Sequence, residues 1–283
     1  MPNRVPVYRN FPTLAGLFLC SGLLFSCSDN PDRRSTAMVN DEALKSDLEI
    51  VAHMRVYFGH QSVGRNILEG LEEFASDAGA ARLNIISAKA GVLPSGRVFA
   101  ESDVGMNGDP NSKCDSFAQF VGATNADDSL DAALMKFCYV DFQETTNVDQ
   151  MFAYYRRTIQ DLKAKHPHAT FIHVTVPLTT RAPGWKRLVK GILGRSDASD
   201  LVAYKRMLFN NAIRREFSTD PLFDLAGLES TNDDGTRTGF DYEGDTAYTL
   251  RDDFTDDGGH LNAVGRGVAA RELVRILATV GHR

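Results

Sequence analysis

The chain has little of several things that would settle its class at once. Basic residues are not in excess: 31 Lys and Arg stand against 37 Asp and Glu, which argues against a general nucleic-acid binder, since that needs a positive face. No internal repeat or coiled-coil period is present. No H-E-x-x-H or comparable spacing marks a metal centre, and the acidic stretch "NDDGTRTGFDYEGD" does not keep the spacing of a calcium loop. The one glycine pattern resembling a dinucleotide fingerprint, "GRGVAA", opens the last helical segment with no further strand to complete the unit. A G-x-S-x-G nucleophile elbow is also missing, because "GHQSVG" is one residue too long and lies too early. What remains is ordinary globular material, 43% hydrophobic and 24% charged over 283 residues, enough for one large domain with a buried core.

The longest apolar run is "LAGLFLCSGLLFS", Leu14 to Ser26. It is shorter than the roughly 20 residues a membrane-spanning helix needs and has the length of a signal-peptide core. Arg4 and Arg9 precede it and polar "SDNPDRRST" follows. Its ending, "LLFSC", resembles the bacterial lipobox, with Leu24, Ser26 and Cys27 in place and Phe25 bulkier than usual. That resemblance implies a signal peptide over 1–26, cleavage before Cys27, lipid on its thiol, and a chain held at a bacterial membrane facing the periplasm or the cell exterior. Residues 27–48 then read as a polar tether, and 49–283 as the folded domain. Cys114 and Cys138 remain; an exported compartment permits a disulfide between them, and two buried thiols are the other outcome.

From Ile50 the chain alternates. "MRVYFG" suits a strand. "VGRNILEGLEEFASDAG" spaces Val63, Ile67, Leu71 and Phe74 about one helical turn apart. "RLNIISA" is a second strand, and Gly91 to Asp128 reads as a glycine- and proline-punctuated loop. "DAALMKFCYVDF" runs from helix into strand, "VDQMFAYYRRTIQDLKAKHP" is an amphipathic helix, and "TFIHVTVPL" is a buried strand. A basic insertion around Trp185, Lys186, Arg187 and Lys190 follows, then a helix, the short strand "PLFDLA", a long acidic loop, and a closing helix. Five alternations predict a doubly wound α/β domain whose mostly parallel, five-stranded sheet carries helices on both faces. Ligands of such sheets bind beyond the carboxyl ends of the strands, where Ser62, Asp141 and the acidic loop fall.

Ser62 follows the first strand at the start of a helix, so it suits either a nucleophile or a helix N-cap. "FTDDGGHLN" places Asp257 three residues before His260. An acyl-transfer serine needs a base for its proton and a carboxylate to orient that base, and a D-x-x-H turn offers both. Together these residues resemble the SGNH, or GDSL-type, hydrolase family, from about Ile50 onward. "YFGHQS" stands where the family has "GDS", with one extra residue, and "DGGHL" stands for "DxxHP", with Leu261 replacing Pro. The resemblance implies a serine esterase with Ser62 as nucleophile, His260 as general base and acid, Asp257 as its orienter, and no cofactor or metal. In the family a glycine and the asparagine of G-x-N-D help the nucleophile's own N–H hold the oxyanion. Here Cys138 and Val140 occupy those places in "FCYVD", with Asp141 matching the aspartate, and a valine side chain cannot donate. Gly105 and Asn107 of "SDVGMNGDP" are the candidate substitutes; Gly91 competes for the glycine, and "MNGDP" also reads as a plain turn. His60 and Asp141 are candidate substrate contacts. The expected partner is an exported ester such as an O-acetylated glycan or a lipid ester. The alternative is a lipoprotein that holds a glycan on a degenerate SGNH domain without cleaving it.

Overall fold

The computed structural model describes residues 31–77, 83–88, 92–93, 95–124, 129–182 and 198–282, with side chains from 42 onward. Cys27, Gly91, Trp185, Lys186, Arg187 and Lys190 lie outside the described residues. The chain divides into two compact units, 1–38 and 39–283; of the first, only the start of one helix is described.

The elements run α1 (Pro31–Ala52), β1 (Arg55–His60), α2 (Ser62–Asp77), β2 (Ile85–Ser87), β3 (Val98–Asp103), α3 (Pro110–Gly122), β4 (Ala132–Met135), α4 (Val148–Lys165), β5 (Thr170–Val174), α5 (Ala198–Glu216), β6 (Leu222–Phe223), α6 (Leu225–Ser230), β7 (Gly239–Tyr242), β8 (Asp245–Tyr248) and α7 (Ala263–Gly281), with 3-10 turns at Tyr139–Asp141 and Asp252–Phe254. Six strands form one parallel sheet in the order β2-β3-β1-β4-β5-β6. β1 lies between β3 and β4, so its carboxyl end is flanked by the loops that follow both. Successive residues of β1 face opposite sides, as a pleated strand requires. Val56 and Phe58 join the core with α1, α2 and α7, while Tyr57 joins the core with α3, α4 and α5. This is the doubly wound α/β arrangement expected.

Several details differ. The sheet has six strands, because β3 and α3 lie inside the segment read as a loop. β3 was concealed by its own chemistry. Glu101 and Ser102 are buried in it, and each is satisfied inside the protein, Glu101 by His60 at 3.0 Å and Ser102 by the Tyr57 hydroxyl at 2.8 Å. α3 starts where Asp109 accepts from Ser112 N–H at 3.1 Å with Pro110 at the first helical position. The described residues directly before β4, 129–131, are not helical; Ala132–Met135 are buried and paired on both edges, which overrides the helix preference of alanine and leucine. The polar stretch read as a tether is helical from Pro31, and Leu44 and Leu48 are buried in the domain core beside Val51, so the folded domain begins before 49. The acidic loop holds the β7–β8 hairpin. Cys114 and Cys138 are separate buried thiols, and burial pushes Cys114 up to about 12.

One buried polar chain makes stability depend on pH. In β5, His173 Nδ1 meets the Tyr155 hydroxyl at 2.8 Å and Nε2 meets Asp220 Oδ2 at 3.2 Å, with the ring stacked on Phe217. Burial outweighs the carboxylate and lowers His173 to about 4. The folded protein therefore keeps the neutral ring while the unfolded chain takes up a proton near pH 6.5, so the contribution of His173 to stability falls as pH drops from about 6.5 towards 4, against the opposite contribution of the Glu229 carboxyl, which burial raises to about 8. Urea melts of wild type and His173→Gln across that range should differ in slope, the variant losing less stability on acidification than wild type; equal slopes would show that His173 does not contribute.

Candidate active site

The candidate site lies beyond the carboxyl ends of β1, β3 and β4, where the turn before α7 joins them. Gln61 resolves the ambiguity about Ser62. Its carbonyl accepts the N–H groups of Gly64 at 2.8 Å and Arg65 at 3.2 Å, which makes Gln61 the N-cap and Ser62 the first residue of α2. The Ser62 side chain caps nothing: among the described residues no N–H of the first turn donates to it. Ser62 is half-buried at the N-terminus of α2.

The D-x-x-H turn is a closed local unit. Asp257 Oδ1 accepts the N–H groups of Gly259 at 2.9 Å and His260 at 2.8 Å, and Oδ2 meets His260 Nδ1 at 2.6 Å. These bonds, His260's N–H first, hold the Asp257 carboxyl far below the usual carboxylate range. Gly258 takes φ +89° in the turn, which a residue with Cβ rarely adopts. Nδ1 is thereby committed to the carboxylate, and Nε2 is the nitrogen left for proton transfer. The direct Ser62–His260 hydrogen bond expected of a triad is not formed among the described residues; Nε2 instead lies 3.5 Å from the Tyr139 hydroxyl. Such bonds are often long without substrate. The two elements do converge. Leu261 N–H donates to Asn66 Oδ1 at 3.3 Å, and Asn66 lies one turn past Ser62 on the same side of α2.

The oxyanion candidates sit on the β3 side. Gly105 has φ +53°, and a Cβ there would stand 2.5 Å from Lys113 N, so only glycine fits. Its carbonyl is held by Gln61 Nε2 at 3.1 Å, with a second bond from the same nitrogen to Val104 O at 2.9 Å, and its N–H has no partner among the described residues. Asn107 is exposed, and its Oδ1 accepts from Lys113 Nζ at 2.9 Å. Lysine is a donor only, so this contact assigns the oxygen inward and leaves the amide NH₂ outward.

Two candidate substrate contacts are corrected. His60 is fully buried, with Nε2 on Glu101 and Nδ1 on Gln61 O at 3.1 Å; it holds the Glu101 carboxyl below its usual range from inside the core. Asp141 is buried too, and both its oxygens are taken, by Lys113 Nζ at 2.8 and 2.7 Å, Gly108 N–H at 2.9 Å and Cys138 N–H at 2.7 Å. Asp141 ties the loop after β3 to the loop after β4. Three residues that sequence reasoning did not single out also shape the site: Gln61, Lys113 and Tyr139. Burial lowers Arg206, which lies near both Tyr139 and Glu229, to about 10, and raises the Glu229 carboxyl to about 8. A groove of about 690 Å³ runs from Tyr139 and Val140 past Phe142 to Arg206. Among the described residues no group of three or more His, Cys, Asp or Glu is arranged to hold a metal ion.

A parallel sheet with β1 central, a serine at the first helix after it and an Asp–His turn before the last helix together define a doubly wound α/β domain with its candidate site at the strand ends. Among solved structures, the chain is similar to a lipase/acylhydrolase from Enterococcus faecalis (12% identity, covering 80% of this chain and 96% of that one, TM-score 0.42). It is also similar to a member of the lipolytic G-D-S-L family from Veillonella parvula (14%, 78% and 95%, TM-score 0.43), and to a candidate GDSL-like lipase from Parabacteroides merdae (11%, 79% and 95%, TM-score 0.47). No family model and no curated protein matches the chain. At these identities the likeness concerns the course of the chain, and the chemistry has to come from this chain's own residues.

Proposed function

We propose that the protein is a serine ester hydrolase. Ser62 attacks an ester carbonyl, and His260 takes its proton and passes it to the leaving group. Asp257 orients the imidazole and stabilises it as imidazolium, and the N–H groups of Ser62 and Gly105 with the Asn107 amide receive the oxyanion. The observation that carries this reading is the Asp257–His260 pair, closed at 2.6 Å with Nε2 free of the carboxylate, on the turn whose next residue contacts the serine's helix. A fluorophosphonate probe should label the wild-type protein on Ser62 and leave Ser62→Ala unlabelled. Absence of any adduct on the wild type would favour the second reading, a non-catalytic glycan-binding domain, which Val140 in the asparagine's place motivates. The substrate class we propose is an exported ester, an O-acetylated glycan or a lipid ester, met by an enzyme tethered through lipid on Cys27. Support for the tether is the "LLFSC" sequence alone; mass spectrometry of the N-terminal peptide should find acylated Cys27, and an unmodified thiol there would refute the anchor.

A further inference from the structure

We infer that Tyr139 is a catalytic residue on the leaving-group side, donating a hydrogen bond from its hydroxyl to the ester oxygen that departs. The inference rests on the ester-hydrolase reading above and names a group for a role that reading leaves to His260 alone. With Nδ1 committed to Asp257, every proton passes through His260 Nε2, so the leaving oxygen must come up against that atom. The Tyr139 oxygen lies 3.5 Å from it and makes no other hydrogen bond among the described residues. Two polar atoms at that separation can both reach a third oxygen at ordinary hydrogen-bond distance, about 2.7–3.0 Å from each.

The tyrosine is held for this position. Its ring meets the His260 ring edge-on, with centroids 5.9 Å apart. The space for its hydroxyl end exists because residue 259 is glycine: a Cβ there would lie 2.9 Å from Tyr139 Cζ and from its oxygen. Partial burial and the nearby Asp257 charge raise the phenol above its ordinary value, which keeps it a donor. Sheet order separates the two roles. The oxyanion donors Gly105 and Asn107 follow β3, Tyr139 follows β4, and β1 with Ser62 lies between them. The oxyanion and the leaving oxygen of a tetrahedral intermediate point in different directions, and the two flanks provide one donor set for each.

In the step concerned, the Ser62 Oγ–carbon bond has formed and the serine proton sits on His260 Nε2. The bond from carbon to the leaving oxygen breaks, its electron pair stays on that oxygen, and the proton moves there from Nε2, releasing an alcohol and leaving the acyl-serine. Tyr139 steadies the charge that gathers on the oxygen and transfers no proton itself.

Removing only the hydroxyl, in Tyr139→Phe, tests this through the dependence on leaving group. kcat/KM, which reports acylation, should be measured for p-nitrophenyl, phenyl and ethyl acetate. A p-nitrophenolate leaves without help, so its kcat/KM should change by less than about 3-fold. Ethyl acetate should fall by about 10–100-fold, the range of a hydrogen bond to a developing charge, with phenyl acetate between. An equal fall for all three esters would make Tyr139 a mere support for the imidazole, and no fall for any would make its hydroxyl a bystander; either overturns the inference. Fluorophosphonate labelling separates the two levels of argument. A variant that still labels on Ser62 but shows either of those patterns refutes Tyr139 alone, whereas a wild type that neither labels nor hydrolyses refutes the hydrolase reading and the inference together.

Discussion

Ser62→Ala is expected to lower ester hydrolysis by at least about 10⁴-fold while leaving the protein folded. The magnitude follows from the non-additivity of catalytic triads: without its nucleophile such a site keeps only what substrate binding and the oxyanion donors supply. Stability separates this from a structural effect. If Ser62 capped α2, its removal would cost about 0.5–2 kcal/mol. Here the cap is Gln61, whose carbonyl takes the Gly64 and Arg65 N–H groups, so the urea midpoint should move by less than about 0.5 kcal/mol equivalent. Kinetics with phenyl acetate and a parallel urea melt decide the matter. Activity within 10-fold of wild type would remove Ser62 from the mechanism.

Lys113→Met should be the most destabilising single change near the site. Lys113 and Asp141 have no solvent-accessible side-chain surface and meet at 2.7 Å. Deleting the cation leaves a buried carboxylate uncompensated, at a cost of about 3–5 kcal/mol. Replacing both, as Lys113→Met with Asp141→Leu, should restore part of that, since two charges then leave the interior together. It cannot restore all, because the Gly108 and Cys138 N–H groups lose their acceptor. Activity should stay low in the double variant even where it folds, since Asn107 loses the lysine that turns its amide outward. Urea melts of the three proteins test the stability order. A single variant as stable as wild type would mean that the pair is not a brace.

Much of the fold was legible in the chain itself. The helical spacing of Val63, Ile67, Leu71 and Phe74 announces α2, and all four are buried on one face. Continuous apolar character announces β5, and the alternation of such segments announces a parallel sheet with helices on both sides. The order serine first, Asp–His last could be read because each half is local: a residue at a strand-to-helix turn, and a three-residue turn whose hydrogen bonds close within itself. These features depend on periodicity and on neighbours in sequence, and both are written in the sequence directly.

Tertiary structure decided what depends on distant partners. β3 reads as loop until Glu101 is seen against His60 and Ser102 against Tyr57. His60 and Asp141 look like site residues because polar side chains are normally exposed; each is instead inside, where a partner 41 or 28 positions away removes the cost of burial. The capping role passed from Ser62 to Gln61, because the backbone path leaving β1 puts the Gln61 carbonyl over the first turn of α2. Tyr139 and His260 are 121 positions apart, and no local pattern marks the tyrosine. Its place beside Nε2 comes from two strand-end loops meeting where residue 259 has no side chain. Sequence by itself determined the layers and the local halves of the candidate site; the through-space pairing of polar groups, which sets which of them are buried supports and which stand open at the strand ends, was decided only when the sheet brought its strand ends together.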